Sequence, residues 1–437
     1  MTIDAERVLA RIESRRDEAI ALTRALVRIP TVNPPGDAYE ACARLLGERL
    51  AARGFAVEYV RALGAPGDRD SHPRVNVVAR REGAAPGPGV HFNGHIDVVT
   101  AGAGWTVDPW EGALRDGRLY GRGTCDMKGG IAASVIAVES ILEEGVPFAG
   151  ALEISGTVDE ESGGFAGVGW LAERGWFSPP RVHHVIIPEP LGVDRICVGH
   201  RGVWWAEVET FGRIAHGSMP FLGDSAIGHM AAFLSEVERD LAPRLRARCT
   251  CQPVEPPEAR RSTINVNSVH GGQREPDSAP DGARDFASQL PSPVVADSCR
   301  AVLDRRYLVE ERADAVRAEV LGLLDRLAAE RPGFRYAVRD VMAFEPTHTP
   351  AGAPVVEAVR RAIRQVLGSE AQLIASPGTY DQKHVARAGH LTDCIAYGPG
   401  VLDLAHQPDE WIGVDDLVRS AQVMALAALE LLGSPGR

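Results

Sequence analysis

Three apolar runs in the first half of the chain end on the same kind of residue, and that repetition constrains the fold more than any other feature. Val90 and Phe92 lead through Gly94 to His95-Ile96-Asp97, Ala151 to Val158 leads to Asp159-Glu160-Glu161, and Val182 to Ile187 leads to Pro188-Glu189-Pro190. Short apolar runs closed by Gly, Pro and polar residues read as buried strands. Helical patterns separate them, one ending near Arg53 and one over Ile131 to Leu142. The result is an alternating α/β series, which predicts an open, largely parallel sheet. The carboxyl ends of such strands gather along one edge, where ligands bind. His95, Asp126, Glu160, Glu161 and Glu189 can therefore converge although they are far apart in sequence.

Each of these places has its own chemistry. Residues two apart in extended chain point the same way, so Asp97 can accept a hydrogen bond from one ring nitrogen of His95 and leave the other facing outward. That arrangement fixes the tautomer of a metal-ligating histidine, and it also occurs as a plain structural hydrogen bond. Asp126 follows the turn Gly121-Arg122-Gly123-Thr124-Cys125 and precedes a small-residue helix, a place that suits an exposed ligand or an N-cap. Asp159-Glu160-Glu161 sets three acids together with no Lys or Arg among them. They repel one another in a fold unless a cation or protons intervene, or unless the loop is solvated.

Beyond residue 200 the texture changes. Residues 203–211, 263–269, 299–308 and 334–344 read as strands, with helices over 224–241 and 310–329. That order fits a two-layer α+β domain on a mostly antiparallel sheet. A long polar Pro/Gly-rich loop, 271–293, joins its middle strands and is expected to be mobile. After Pro346 the α/β pattern resumes with helices over 355–367 and 414–432 and a short strand over 394–397. The expected organisation is one α/β domain from residues 1–199 and 341–437, interrupted by an inserted domain over 200–340. A single helix is expected over residues 4–28, ending before Ile29-Pro30.

Composition removes several function classes. A net charge of −12 argues against nucleic acid or an anionic membrane as partner. No apolar run reaches the length of a membrane span. The first residues are charged and amphipathic rather than a signal-peptide core. Seven cysteines, odd in number and scattered, fit a reducing compartment, so the expected location is cytoplasmic.

Candidates for the sheet edge are two histidines, His95 and His406, and four carboxylates, Asp126, Glu160, Glu161 and Glu189. Carboxylates so crowded hold protons near neutral pH unless divalent metal compensates them. Two Zn-like ions, each with one imidazole and one terminal carboxylate and sharing a bridging carboxylate, use five of the six groups. One carboxylate is left for proton transfer, an arrangement suited to hydrolysis.

The motifs Gly94-His95-Ile96-Asp97-Val98, Gly121-Arg122-Gly123-Thr124-Cys125-Asp126-Met127-Lys128-Gly129-Gly130, Asp159-Glu160-Glu161, Pro188-Glu189-Pro190 and Ala405-His406-Gln407-Pro408 together resemble the M20 family of dinuclear metallo-aminoacylases and carboxypeptidases. The likeness runs from about Ile29 to the last helix. It implies a zinc-peptidase-like catalytic domain interrupted by a lid that pairs two subunits into a homodimer. It implies two divalent ions, Zn2+ first and Co2+ or Mn2+ as alternatives, one held by His95 and Glu189 and the other by Glu161 and His406, with Asp126 bridging. Asp97 then orients His95, and Glu160 is the general base, set apart from Glu161 because neighbours on extended chain face opposite ways. A non-proline cis peptide is expected after Asp126.

On the lid, His216 in Ala215-His216-Gly217-Ser218 matches the histidine that stabilises the oxyanion in a neighbouring active site. Asn265 and Arg306 match positions that contact the substrate carboxylate, and Gly378 and Thr379 match a turn that lines the site. The implied activity is removal of an acyl group from an N-acyl amino acid or related amine. Tyr380-Asp381-Gln382-Lys383-His384 looks closest to the deacetylase and desuccinylase branch. A metallo-carboxypeptidase or dipeptidase is the alternative within enzymes, and a metal-free scaffold is the alternative outside them. One departure from the pattern is Ser292-Pro293-Val294-Val295, where many relatives carry Asn. Trp105, Trp204 and Trp205 are available for a pocket or for packing.

Overall fold

The structure, a computed structural model, describes residues 3–273 and 293–433. Its strands are β1 (Ala56–Arg61), β2 (Val75–Glu82), β3 (Ala85–His95), β4 (Ala113–Arg115), β5 (Arg118–Tyr120), β6 (Ala149–Thr157), β7 (His184–Ile187) and β8 (Arg195–His200). There follow β9 (Gly202–Phe211), β10 (Thr263–Gly272), β11 (Ser298–Tyr307), β12 (Arg335–Phe344), β13 (Thr347–His348), β14 (Gln372–Ser376), β15 (Cys394–Ala396) and β16 (Trp411–Gly413). The chain divides into two compact units, one of residues up to 199 with 347–374 and 380 onward, the other of 200–346 with 375–379.

The first unit is built on a mixed α/β sheet of order β1-β2-β6-β3-β7-β15-β8-β13. Its centre, β6-β3-β7-β15, is parallel, and β1, β2 and β8 join antiparallel. Val77 and Ile186 enter one apolar cluster, whereas Val78, Val185 and Ile187 enter another, so alternate residues of a strand meet two different layers. Burial on both faces is why these strands read as unbroken apolar runs. The helix Gly129–Glu143 is buried from Gly129 to Ile141, which its Gly, Ala and Ser residues allow by admitting close neighbours.

The expected helix over 4–28 is two, Ile3–Ser14 and Arg16–Val27. Arg15 leaves the helical region (φ −101°, ψ 16°), and its side chain is buried against Glu139. A periodic sequence pattern carries no trace of that break, because its cause lies on another helix. The sequence also left β8 and the small antiparallel sheet β16-β5-β4 unread, the latter because three-residue strands show no period.

The second unit is a four-stranded antiparallel sheet, β10-β11-β9-β12. Trp204, Ala206, Val208 and Leu303 pack one face against Phe233 and Leu324 of the helices Ala226–Glu236 and Ala313–Glu330. Trp204 is therefore a core residue. The first helix is capped by Ser225, whose hydroxyl accepts from the Gly228 amide at 3.1 Å. The boundary expected at 340/341 falls inside β12, which pairs with β9 as far as Phe344, so the division lies at Pro346–Thr347. Residues 375–379 group with the second unit through Ala375, which donates to Pro253 at 2.8 Å and accepts from Glu255 at 3.1 Å. Most of the loop expected to be mobile, with Ser292, lies outside the described residues. Among the described residues no helix is long and apolar enough to cross a membrane.

Candidate active site

β3 ends at His95, and its parallel neighbours β6 and β7 end at Thr157 and Ile187, just before Asp159 and Glu189. Their carboxyl ends form one edge of the sheet, as expected of parallel strands. Asp126 reaches that edge because the helix Gly129–Glu143 starts directly against the Pro188–Glu189 segment. A Cβ on Gly130 would lie 2.0 Å from the Pro188 carbonyl oxygen, so only glycine permits the approach. His406 comes from the loop before β16, with its side chain half exposed.

The side chains meet around Asp126. His95 Nε2 lies 3.0 Å from Asp126 Oδ1, and His406 Nε2 lies 3.5 Å from Asp126 Oδ2 and 3.1 Å from Glu161. Each oxygen of Asp126 thus faces a different histidine. Two triads result, His95-Asp126-Glu189 and Asp126-Glu161-His406, whose ligand atoms lie within 4.8 Å of one another in each. The Asp126-Met127 peptide is cis.

The polypeptide alone meets this crowding with protons. Hydrogen bonds donated to Asp126 and Glu161 lift His406 from 6.5 to about 10. Burial favours neutral His95, yet Asp126 and Asp97 raise it well above its ordinary value. Burial lifts Glu161 to about 7 and, with Asp126 beside it, pushes Glu189 well up. Burial also works against the Asp126 anion, but His406 and His95 outweigh it and hold its carboxyl below the usual range. Divalent cations would answer the same crowding, and the donors fit them: each triad offers one imidazole nitrogen and two carboxylates, a set suited to a divalent transition metal.

Around the triads stands a layer that the sequence showed only in part. His95 Nδ1 is 3.0 Å from the main-chain oxygen of Asp97 and 3.5 Å from its carboxylate. That carboxylate does more for the next strand end, since it accepts from the amides of Glu160 at 3.2 Å and Glu161 at 3.1 Å, and from Asn33 at 2.9 Å. The two glutamates lie on a single 3-10 turn, Glu160–Ser162, and not on extended chain. Their side chains still part, Glu161 to His406 and Glu160 to buried Lys383, whose Nζ donates at 3.1 Å.

The three acids are not left to repel one another. Asp159 is held by Tyr39 at 2.8 Å and Arg74 at 2.9 Å, so each acid is answered by a group from elsewhere in the chain. Lys383 stood in a stretch singled out for its likeness, but nothing local assigned it a partner. Glu410, buried and accepting from the amides of Gly123, Cys125 and Asp126, was missed; its one signal is an acid four residues after His406.

The remaining candidates belong to the second unit. His216 is exposed and accepts from Ser218, whose Oγ lies at 2.7 Å. Asn265 stands opposite Asp304, and Thr263 opposite Arg306, which places Asn265 and Arg306 on one face of the sheet. Arg306 already grips Asp304 with two nitrogens, at 2.6 and 3.1 Å. Gly378 and Thr379 are half-buried in the turn after β14, with the Gly378 amide on Ser376 at 3.1 Å.

An α/β sheet whose edge brings two triads able to hold a metal ion onto one shared aspartate, with a further glutamate alongside, has the make-up of a metal-dependent hydrolase. The chain belongs to Peptidase family M20/M25/M40, whose profile matches residues 91–430. It is a metal-dependent hydrolase of amide bonds. It is 27% identical over 426 residues to succinyl-diaminopimelate desuccinylase of Psychrobacter arcticus, covering 94% of this chain and 93% of that one. It is 30% identical over 386 residues to acetylornithine deacetylase of Myxococcus xanthus, covering 88% and 90%. Among solved structures, the dipeptidase Dug1p from Saccharomyces cerevisiae matches with a TM-score of 0.76 at 16% identity over 100% of both chains, a likeness of fold.

Proposed function

We propose that the protein removes a short acyl group from an N-acyl amino acid or related amine, using two divalent ions. His95 and Glu189 would hold one and Glu161 and His406 the other, with Asp126 available to each; Zn2+ suits the donors best, with Co2+ or Mn2+ as alternatives. The observation that carries this reading is Asp126, whose two oxygens face different histidines. Such ions supply Lewis acidity to the scissile carbonyl and to water at the site.

Glu160 is the carboxylate left for proton transfer, kept in place by Lys383. As water attacks the amide carbon, Glu160 takes its proton; when the C–N bond breaks, the proton passes to the leaving nitrogen. The products are a carboxylate and a free amine. Asp97 acts on this step through its grip on the amides of Glu160 and Glu161. For His216 the motifs assign the oxyanion, and for Asn265, Arg306, Gly378 and Thr379 the rest of the substrate.

The names of the desuccinylase and deacetylase relatives support acetyl and succinyl among the acyl groups. We assign a homodimer joined through the second unit, where β10 is an edge strand, and a cytoplasmic location, supported by seven cysteines that form no disulfide. The test is hydrolysis of N-acetylornithine, N-succinyl-diaminopimelate and a panel of N-acyl amino acids beside dipeptides, with and without chelator. Deacylation that stops on chelation and returns with Zn2+ or Co2+ is the expected result. Turnover of dipeptides alone assigns the peptidase branch instead, and activity that survives full metal removal overturns the mechanism.

A further inference from the structure

Glu410 is 1% exposed, and none of the steps above uses it. Its Oε1 accepts from three amides of one loop, those of Gly123 at 3.0 Å, Cys125 at 2.8 Å and Asp126 at 3.0 Å. Its Oε2 accepts from Nη1 of Arg122, which is equally buried. Its own main-chain oxygen accepts from the Gly121 amide at 2.9 Å, and β16 begins at the next residue, pairing with β5, which ends at Tyr120. One carboxylate thus fills a nest of loop amides, which is an anion site built and filled by the chain itself.

The two segments joined here are the ones that carry Asp126 and His406. The ligands differ in what else holds them. His95 ends β3, which pairs on both sides, and Glu189 directly follows β7. His406 has no such ladder: it sits in a loop with φ 64° and a half-exposed side chain, four residues from Glu410.

We propose that Glu410 is a positioning residue that fixes Asp126 and His406 relative to each other. Its loss weakens the ion of the Asp126-Glu161-His406 triad far more than the ion of the His95-Asp126-Glu189 triad. The inference rests on the two-ion reading above and adds a division of labour within it. A carboxylate that offers no atom to either triad then decides whether the second ion stays.

The test is stepwise titration of metal-stripped protein with Co2+, followed by calorimetry and by the visible absorption of bound Co2+, with thermal unfolding recorded for each variant. Wild type takes up two ions. In Glu410→Ala the tighter step stays within about threefold, whereas the weaker step falls by about 10- to 100-fold, the usual cost of losing a group that orients ligands. Glu410→Gln keeps an oxygen for the three amides and loses the charge that faces Arg122, so it recovers part of the second step. Two unchanged steps in Glu410→Ala, or two steps weakened alike, overturn the proposal. If Glu410→Ala does not fold, Glu410→Gln decides: a second step weakened several-fold with the first intact supports it, and two unchanged or equally weakened steps overturn it. Wild type that binds fewer than two ions sinks the two-ion reading instead.

Discussion

The helix Gly129–Glu143 has a buried cluster of charge near each end, and the two are composed differently. Near its carboxyl end, fully buried Glu139 accepts from Arg15 and Arg49, with Arg53 at 3.7 Å. Just before its amino end, Asp126, Glu161 and Glu189 gather with two histidines; these are their close partners, and the charge of Lys383, bonded to Glu160, reaches Glu189 only through space. A guanidinium is charged under all ordinary conditions, so the Glu139 cluster is complete when the chain folds. An imidazole is not, so the charge at the other end depends on what is bound there. Burial of acids is common to both; what separates them is that the shared acid Asp126 and its neighbour Glu161 meet imidazoles, where Glu139 meets guanidinium groups.

Asp126→Ala breaks that contrast most severely. It removes the group shared by both triads, so bound metal falls from two ions to at most one and turnover is lost, as read by elemental analysis beside the deacylase assay. Retention of two ions with activity denies the bridge. Glu160→Ala comes next: kcat falls by about 10²- to 10⁴-fold, the range of a lost general base, while both ions remain. A near-normal rate removes Glu160 from its role.

The same measurements on Glu139→Ala give the opposite pattern. Removing Glu139 takes the fully buried partner from Arg15 and Arg49, leaves them Glu18 and Glu143 at the rim, and costs about 3 kcal/mol of stability, the low end for a buried ion pair that loses one partner, read by urea denaturation, with the metal count unchanged. A loss under about 1 kcal/mol, or a loss of metal, erases the distinction between the two ends of the helix.

Why one cluster was legible in the sequence and the other was not follows from where their parts lie. His95, Glu161 and Glu189 each close an apolar run, and Asp126 sits in a glycine turn before a helix, so each carries a local mark. The parallel order of the strands then follows from α/β alternation. Arg15 carries no mark, because its partner Glu139 is 124 residues away. Lys383 and Glu160 are 223 apart, and Glu410 lies 284 from Asp126. Periodicity reports which face of a helix or strand is buried; it does not report which distant charge arrives to meet it. The argument from three unrelieved acids was therefore right about the need for cations and incomplete about their source, since Arg74 and Lys383 meet Asp159 and Glu160.

The smallest effect lies at the rim of the arginine cluster and tests its electrostatic character. Glu18 accepts from Arg15 at 2.7 Å and from Arg49 at 2.6 Å. Those bonds, Arg15 first, hold its pKa at about 2 against an ordinary 4.5, although partial burial opposes them. A carboxylate whose pKa is depressed by folding stabilises the fold fully above its unfolded value. That stability is lost as pH falls through the folded one, here between about 4.5 and 2. The side chain is 37% exposed, so solvent and salt screen the pair, and Glu18→Gln costs under about 1 kcal/mol at pH 7. The gap between wild type and variant should close as urea denaturation of metal-stripped protein is repeated from pH 6 down to pH 2.5, where titration of the triads is common to both proteins and cancels in the gap. It should also narrow in high salt at pH 7. A gap that stays constant over that pH range would mean that Glu18 holds the helix Arg16–Val27 by shape and not by charge, and the arginine cluster would then owe less to its cations than the contrast with the metal triads requires.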